Sequence, residues 1–300
     1  MDLLKTTKQL CQLYDIKPSR SKGQNFLIKE EIYDKMIETA ELGKDDVVLE
    51  VGPGLGFLTA KLAKNAKKVV AVELDDKLAE VLRTGLLSQG IKNAEVVNDD
   101  ILKIPPTPFI SPTQELWRAS KGEYKIVANL PYNITSIFLR KFLSEERKPE
   151  MMVLMLQKEV AERIVASSPK MSLLAVSVQF YARAEIIEIV PADYFWPQPE
   201  VDSAIIKLRI SARGGSTSGG KNHLPACEAE KFRINEKEFF RLVKIGFSAK
   251  RKMLKNNLAS GYHISQEEAG KKIEKCGFNA KIRAQELSVD NWIKLFGEFI

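Results

Sequence analysis

Residues 46–73 contain the pattern that most restricts how this chain can fold. A strand runs into the turn Gly52-x-Gly54-x-Gly56, a helix is predicted over Phe57–Lys64, and a second strand follows at Lys68–Glu73. Glycine permits positive φ angles and close backbone approach, so the N–H groups of this turn can face a ligand. Strand, glycine turn, helix and strand in this order predict an α/β fold with a mostly parallel sheet.

Acidic residues end the next two predicted strands. Glu73 lies 21 residues after Gly52, where a carboxylate can accept hydrogen bonds from both ribose hydroxyls. Asp100 follows the strand Ala94–Asn98 and could meet an adenine amino group. The glycine spacing is not GxGxxG and no Lys-Ser/Thr pair follows, which argues against NAD and ATP. The set predicts a pocket for an adenosine cofactor without a pyrophosphate, and S-adenosylmethionine fits that description.

The strand Lys125–Asn129 ends in the tetrapeptide Asn129-Leu130-Pro131-Tyr132. Proline lacks an N–H and favours an extended residue before it, so the strand must stop there. The amino nitrogen of adenine is a weak nucleophile, because its lone pair is delocalised into the ring. Its two N–H groups could donate to the Asn129 amide oxygen and the Leu130 carbonyl, with no strong base required, while Tyr132 stacks on the base. The alternative is a strand-end turn that happens to contain Asn and Pro.

Three adjacent aromatic residues, Tyr194, Phe195 and Trp196, precede two prolines at positions 197 and 199. We expect a rigid platform here, with a flipped base held between Phe195 and Tyr132. Extruding a base costs a few kcal/mol, and stacking contributes roughly 1–3 kcal/mol per base–aromatic contact. Two contacts could therefore offset the extrusion. The alternative is that the aromatic rings fill the edge of the sheet.

Positive charge is concentrated near the C-terminus. Residues 1–211 contain 29 basic and 29 acidic residues, whereas residues 212–300 contain 17 and 10. Four cations cluster at the start of a helix predicted over residues 250–259, where they oppose the helix dipole, so contact with phosphate explains them better than local stability. We predict a surface that binds nucleic acid, with a solvated lysine-rich helix as the alternative. The residues are Lys250, Arg251, Lys252 and Lys255.

Composition excludes several classes of function. The chain has three widely spaced cysteines and two histidines, so zinc binding, a disulfide framework and histidine-based catalysis are not expected, and no metal site is predicted. Free thiols and the lack of a signal peptide or bilayer-length apolar run indicate a cytoplasmic protein with no membrane partner. The predicted domains are 1–211, a Gly/Ser-rich linker at 212–230 and a helical module at 231–300.

These motifs, taken in order, resemble those of the small-subunit ribosomal RNA adenine N6,N6-dimethyltransferase family. The resemblance implies a Rossmann-like S-adenosylmethionine-dependent methyltransferase domain with a seven-stranded sheet, followed by a small all-α domain. It also implies cofactor contacts from Asn25, Leu27, Gly52, Glu73, Asp100 and Asn129, and target-base contacts from Asn129, Leu130, Tyr132 and Phe195. The matching segments are Gln24–Leu27, Glu50–Gly56, Glu73, Asp100, Asn129–Tyr132, Gln157–Ala161, Phe195–Ser203 and Arg283–Ser288.

The family resemblance implies that two adjacent adenines in the loop of the last helix of 16S rRNA each receive two methyl groups, within a small-subunit precursor. We expect a monomer. The chain departs from the family at Met171-Ser172 and Lys250-Arg251-Lys252, and residues 105–123 and 211–229 look like insertions. Two alternatives stay open: a large-subunit rRNA methyltransferase of the macrolide-resistance type, and a ribosome-assembly checkpoint factor in which catalysis is secondary.

Overall fold

A computed structural model describes residues 2–19, 23–104, 124–145, 147–210 and 234–300. The chain divides into two compact units. The first comprises the described residues up to Ala161 together with Arg183–Ile210, and the second comprises Glu162–Ala182 together with the described residues from 234 onward. The predicted linker, 212–230, and both predicted insertions, 105–123 and 211–229, fall outside the described residues.

The first unit is built around a seven-stranded sheet, and a two-stranded sheet accompanies it. The order in the large sheet is β4-β3-β2-β5-β6-β9-β7, and β1 pairs with β8. The pairs formed by β2, β3, β4, β5 and β6 are all parallel, whereas β6 and β9 are antiparallel. The strands are β1 Phe26–Leu27, β2 Val47–Val51, β3 Lys68–Glu73, β4 Ala94–Asn98, β5 Lys125–Asn129, β6 Met151–Gln157, β7 Ala182–Val190, β8 Phe195–Trp196 and β9 Ser203–Ile210.

Strand burial explains why the central strands read as continuous apolar runs. Every residue of β2 is buried, and so are the first six residues of β6. Parallel strands covered on both faces lose the alternation of polar and apolar residues that marks a half-exposed strand. The last strand, β9, begins at Ser203, and Val201 just before it is 46% exposed.

The topology creates a crevice between β2 and β5. The chain moves outward from β2 through β3 to β4, and then returns to the other side of β2 to form β5. Loops that follow β2 and β5 therefore diverge at the carboxyl end of the sheet, where open α/β folds bind ligands. Helices of this unit pack against the strands: α2 on β5, β6 and β9, α3 on β3, and α4 on β3 and β4. They are α1 Leu3–Leu13, α2 Glu30–Ala40, α3 Phe57–Asn65, α4 Asp76–Ser88 and α5 Thr135–Ser144.

The second unit is helical in its described residues. Its core is aromatic: Phe180 stacks on Phe239 with ring centroids 4.6 Å apart, and Trp292 is fully buried. The segment Glu162–Ala182 joins this unit because its helix packs on the helix that begins at Glu236. The sequence-based boundaries assign these two helices to different domains, 1–211 and 231–300. The domain boundaries stay a prediction. The helices are α6 Lys158–Val165, which crosses the division, α7 Leu173–Gln179, α8 Glu236–Gly246, α9 Leu254–Tyr262, α10 Gln266–Lys275 and α11 Val289–Phe299.

Two helices of this unit begin with serine residues that cap them. Ser265 accepts a hydrogen bond from the Glu268 N–H, and Ser288 accepts one from the Asn291 N–H, as expected for serine before a helix. Across the part of the chain that the structure describes, no helix is both long enough and apolar enough to cross a bilayer.

Candidate active site

A cavity of about 250 Å³ lies at the carboxyl end of the parallel strands, in the first unit. It brings together all nine residues that the sequence predicted for cofactor and base contacts. Their convergence follows from topology, because they lie at the last residue of a strand, in the turn or loop that follows one, or in or directly before the paired strands β1 and β8. The nine are Asn25, Leu27, Gly52, Glu73, Asp100, Asn129, Leu130, Tyr132 and Phe195.

The charge of the cavity lining is one-sided. Five acidic residues line it, and none of its described lining residues is a lysine or arginine. A phosphate-bearing cofactor would find no cationic side chain among the described lining residues, whereas a cationic ligand would be attracted to the carboxylates. The acidic residues are Glu50, Glu73, Asp75, Asp99 and Asp100.

The glycine turn forms one wall. Gly52, Gly54 and Gly56 have φ angles of 65°, 55° and 83°, which side-chain-bearing residues rarely adopt. A Cβ atom at Gly56 would lie 2.3 Å from Leu82 Cδ1, and one at Gly54 would lie 3.2 Å from Phe26 Cε1. The turn therefore needs glycine for both its conformation and its packing.

Glu73 is held rigidly at the end of β3. Its Oε2 accepts a hydrogen bond from the Gly54 N–H at 3.0 Å, and its Oε1 accepts one from the Asp75 N–H at 3.0 Å. The residue is 6% exposed. Burial raises the pKa of its carboxyl, while the two backbone donors act in the opposite direction. Each oxygen has a further lone pair, so the carboxylate can still accept from ribose hydroxyls.

The loop after β4 carries Asp100 and adds apolar surface. Asp100 Oδ1 accepts a hydrogen bond from the Leu102 N–H at 2.9 Å. Ile101 and Leu74 line the same cavity, and Leu74 is 64% exposed. Sequence reasoning missed both. The available signal was a leucine directly after Glu73, at the end of a strand where a ligand site was predicted.

The acceptor turn, Asn129–Tyr132, forms the opposite wall. Asn129 is paired with Met155 in the parallel ladder, and the Leu130 N–H donates to the Met155 carbonyl at 3.0 Å. Among described residues, neither the Leu130 carbonyl nor the Asn129 side chain has a hydrogen-bond partner. Pro131 lies against the glycine turn, since a Cβ on Gly52 would be 3.5 Å from Pro131 Cδ. Two acceptors with fixed backbone support are thus free to receive a donor.

Tyr132 is anchored by its hydroxyl group. Its Oη lies 2.7 Å from Ser203 Oγ, the ring is half-buried, and burial raises the pKa of the phenol. The residues Tyr132–Ile134 form a 3₁₀ turn, and α5 begins at Thr135. No side chain caps α5, because the 3₁₀ turn leads directly into this helix.

The predicted aromatic platform is wrong in its geometry. Successive side chains of a strand point to opposite faces, and Phe195 alone lines the cavity. It is 3% exposed and pairs with Leu27. The rings on either side meet lysine ammonium groups instead: Lys29 lies 5.0 Å from the Tyr194 centroid and Lys8 lies 6.0 Å from that of Trp196. Phe195 can therefore present only a small part of its ring to a base.

The segment Gln24–Leu27 closes another side. Asn25 lines the cavity, and Gln24 links two loops by accepting from the Ser19 N–H at 2.9 Å and donating to Asp75 at 3.4 Å. The Leu27 carbonyl accepts a hydrogen bond from the buried Tyr33 hydroxyl at 2.9 Å. These bonds fix the strand that Asn25 precedes.

Glu50 is a site residue that sequence reasoning did not single out. It is 1% exposed, lines the cavity, and its Oε2 has no hydrogen-bond partner among described residues. Burial raises the pKa of its carboxyl to about 8; the nearby Thr59 hydroxyl acts in the opposite direction, and the charge of Glu73 acts in the same direction as burial. An acid in the middle of an otherwise apolar buried strand was the signal, because such burial is costly without a partner.

The predicted RNA-binding cations lie in the second unit. The residues Lys250, Arg251 and Lys252, here called the basic turn, are exposed and form no salt bridge with a described residue. They precede α9, which begins at Leu254 and not at residue 250 as predicted. Only Lys255 lies inside that helix. Within the described ranges, no group of three or more metal-ligand side chains is present.

Comparison with known proteins identifies similar chains over nearly the full length. The family model described as ribosomal RNA adenine dimethylase matches residues 17–217. Ribosomal RNA small subunit methyltransferase A of Dehalococcoides mccartyi strain CBDB1 is 40% identical, over 99% of this chain and 94% of that protein. The protein with the same description from Clostridioides difficile strain 630 is 35% identical, over 95% and 92%.

Two similar solved structures share more than 25% sequence identity with this chain. A dimethyladenosine transferase from Plasmodium falciparum superposes with a TM-score of 0.69 at 27% identity, covering 89% of this chain and 94% of that one. The 23S rRNA methyltransferase ErmE superposes with a TM-score of 0.67 at 28% identity, covering 92% and 99%.

Proposed function

This chain belongs to the ribosomal RNA adenine dimethylase family, and we propose from that membership that it dimethylates the N6 amines of two adjacent adenines in the 3′-terminal helix loop of 16S rRNA. It is an S-adenosylmethionine-dependent rRNA adenine dimethyltransferase with a Rossmann-like fold, as the sequence predicted. The observation that carries the proposal is the convergence of the nine predicted residues on one cavity. Relatives described as acting on the small subunit are 33–40% identical, which favours 16S over 23S rRNA.

The cavity fits S-adenosylmethionine by its chemistry. This cofactor has an adenosine, a sulfonium and an amino-acid group but no phosphate, and the lining is acidic without a cation among its described residues. We assign the ribose to Glu73, whose oxygens retain free lone pairs. We assign the adenine to the region of Asp100, with Leu74 supplying apolar contact. We assign the amino-acid portion of the cofactor to the backbone of Gly52 and the side chain of Asn25.

Catalysis rests on the acceptor turn. When bound, S-adenosylmethionine supplies an electrophilic methyl group. The Asn129 side-chain oxygen and the Leu130 carbonyl accept hydrogen bonds from the two N–H groups of the target amine, which draws its lone pair out of conjugation. Neither acceptor has another partner among described residues, so no bond must break first. Fixed dipoles of this kind contribute without needing a general base.

Stacking favours an adenine that is already unpaired. Tyr132 is half-buried and can offer a ring face, whereas Phe195 is 3% exposed. One full stacking contact contributes roughly 1–3 kcal/mol, which is close to the cost of extruding a paired base and leaves little surplus. A loop adenine costs less to extrude, so this site suits a loop target better than a duplex target.

The remaining assignments concern the RNA and its setting. We assign phosphate contacts to the basic turn and Lys255, because these cations have no partner among described residues that would otherwise explain them. The substrate is 16S rRNA within a small-subunit precursor, the protein acts as a monomer, and it works in the cytoplasm.

The experiment that tests the function is mass spectrometry of rRNA. A strain that lacks this gene is compared with the same strain after restoration, and N6,N6-dimethyladenosine is quantified separately in 16S and 23S digests. The modification should be absent from 16S rRNA without the gene and return with it. Its appearance in 23S rRNA instead would establish the macrolide-resistance type of activity.

Asn129→Ala separates catalysis from assembly. Loss of one positioned donor or acceptor typically lowers the rate about 10²–10³-fold, and RNA affinity should stay unchanged. Asn65→Ala is a matched control, because within the described part of the chain that amide bonds only to the Lys61 carbonyl on α3. Normal subunit maturation in cells carrying Asn129→Ala, with defective maturation in the deletion strain, would show that assembly depends on the protein and not on methylation.

A further inference from the structure

The described part of the loop that follows β4, residues 99–104, is folded around Asp100 and is here called the Asp100 loop. The Lys103 and Ile104 N–H groups both donate to the Asp100 carbonyl, at 2.8 and 3.1 Å. Among the described residues, no backbone N–H donates to the carbonyl oxygens of Ile101, Leu102 and Ile104. They need donors from elsewhere, because buried carbonyls without partners are costly.

Lys141 supplies those donors. Its Nζ donates to the Leu102 carbonyl at 2.7 Å, to the Ile101 carbonyl at 3.2 Å and to the Ile104 carbonyl at short distance. An ammonium group has three N–H donors and no acceptor, so the three carbonyls use its full capacity. Such charge-assisted bonds are stronger than bonds between neutral groups.

The position of Lys141 in the chain links the two walls of the cavity. Lys141 lies on α5, the helix that starts three residues after Tyr132. One end of this helix is continuous with the acceptor turn, and its second turn carries the lysine that holds the Asp100 loop. The distance between the loop and the acceptor turn is therefore set by a single rigid element.

An ordinary surface role does not describe this lysine. It makes no salt bridge with a described residue, although Glu145 follows four residues later on the same face. Burial lowers the pKa of its ammonium, while the negative charges of Glu145 and Asp100 act against that change. The side chain thus leaves water to reach backbone carbonyls near Asp100.

We propose that Lys141 is a positioning residue that holds the Asp100 loop in the conformation that receives the adenine of S-adenosylmethionine. This inference rests on the proposed cofactor role of Asp100. Without the ammonium group, three carbonyls lose their donor and the loop relaxes, so adenosine compounds bind more weakly. The acceptor turn keeps its own support from β6, so the chemical step changes less than binding does.

The test measures the Kd of S-adenosylhomocysteine by calorimetry for the full chain and for Lys141→Met. We expect an increase of about tenfold, equivalent to about 1.4 kcal/mol, with the same factor for 5′-methylthioadenosine, which lacks the amino-acid group. In steady-state assays the KM for S-adenosylmethionine should rise while kcat and the KM for RNA stay within about twofold. Lys103→Met is the matched control, because it removes a 79% exposed cation that lies 3.9 Å from Asp100 but donates to none of the three carbonyls. The Kd of this variant should stay within about twofold of wild type.

A double-mutant cycle with Asp100→Ala separates positioning from general structural loss. In the Asp100→Ala background, Lys141→Met should have little further effect, because residues that act together are not additive. Additive effects, or an unchanged Kd in Lys141→Met, would overturn the proposal. Lys141→Arg keeps the charge and provides a folded variant with intermediate affinity if Lys141→Met does not fold. An unchanged Kd in Asp100→Ala alone would overturn the adenine contact and this proposal together, whereas the rRNA mass spectrometry tests methyl transfer independently.

Discussion

Replacing Glu50 by glutamine should make the cofactor-free protein more stable at neutral and alkaline pH. Glu50 is 1% exposed in β2, and its Oε2 has no hydrogen-bond partner among described residues. Burial raises the pKa of its carboxyl from an ordinary 4.5 to about 8, with a further contribution from the charge of Glu73. The folded protein therefore keeps this proton at a pH where the unfolded chain has released it.

The sign and size of the effect follow from proton linkage. A group with a higher pKa in the folded state stabilises that state fully at a pH below its unfolded pKa, and the stabilisation is lost as the pH rises toward the folded pKa. Between about pH 5 and pH 8 the wild type should lose roughly 1.4 kcal/mol per pH unit relative to Glu50→Gln. Across that range the two proteins should diverge by roughly 3–4 kcal/mol, and the difference should level off above about pH 9.

Urea denaturation followed by far-ultraviolet circular dichroism, repeated at a series of pH values, measures this difference. Comparing the variants at each pH cancels the titration of every group that they share. Glu80→Gln removes a carboxylate from the exposed face of α4 and should run parallel to the wild type. Parallel curves for wild type and Glu50→Gln would refute the reasoning, because they would show that Glu50 is ionised in the folded protein.

Three further predictions concern the ring, the glycine turn and the RNA surface. Tyr132→Ala should slow methyl transfer about 5- to 150-fold, the equivalent of one base–aromatic contact; Tyr132→Phe, which loses only the bond to Ser203, should keep transfer and lose about 1 kcal/mol of stability, and full activity in both would contradict stacking. Gly56→Ala should lower the urea midpoint more than Gly90→Ala, because both glycines have positive φ angles but only Gly56 would place a Cβ against Leu82; equal losses would show that the clash is relieved. Neutralising the basic turn should flatten the salt dependence of rRNA affinity by roughly 0.7–0.9 logarithmic units per lost phosphate contact, and an unchanged slope would place the RNA elsewhere.

The cofactor and acceptor residues could be predicted from sequence because their positions depend on local features. Gly52, Glu73, Asp100 and Asn129 each mark the end of a strand. Parallel strands bring such ends to one edge whatever their exact packing. The prediction of their convergence is confirmed by the cavity, while their individual roles stay predictions.

Side-chain direction could not be predicted in the same way. Phe195 faces the cavity and its neighbours do not, because β8 pairs with β1, a strand of two residues far away in the sequence. No periodicity can be read from so short a strand. The start of α9 was misplaced for a related reason: lysine and arginine are good helix formers, but the basic turn precedes the helix.

Polar contacts between residues far apart in the sequence could not be predicted either. The bonds from Lys141 join a helix to a loop about forty residues earlier, and a lysine on an amphipathic helix looks like any solvated residue. Glu50 lay within a recognised motif, yet only the structure reveals that its Oε2 has no hydrogen-bond partner among the described residues.

The two acceptors, the Asn129 side-chain oxygen and the Leu130 carbonyl, differ in mobility, and this difference matters for a reaction that occurs twice on the same nitrogen. The Leu130 carbonyl lies in the peptide unit of Pro131, whose ring fixes the backbone and packs against the glycine turn, whereas the Asn129 side-chain amide can rotate. After the first transfer the amine retains one hydrogen, so one of the two oxygens must go without it. The second round then proceeds with one hydrogen bond fewer, worth about 1 kcal/mol, and singly methylated adenine is the species that should build up before completion.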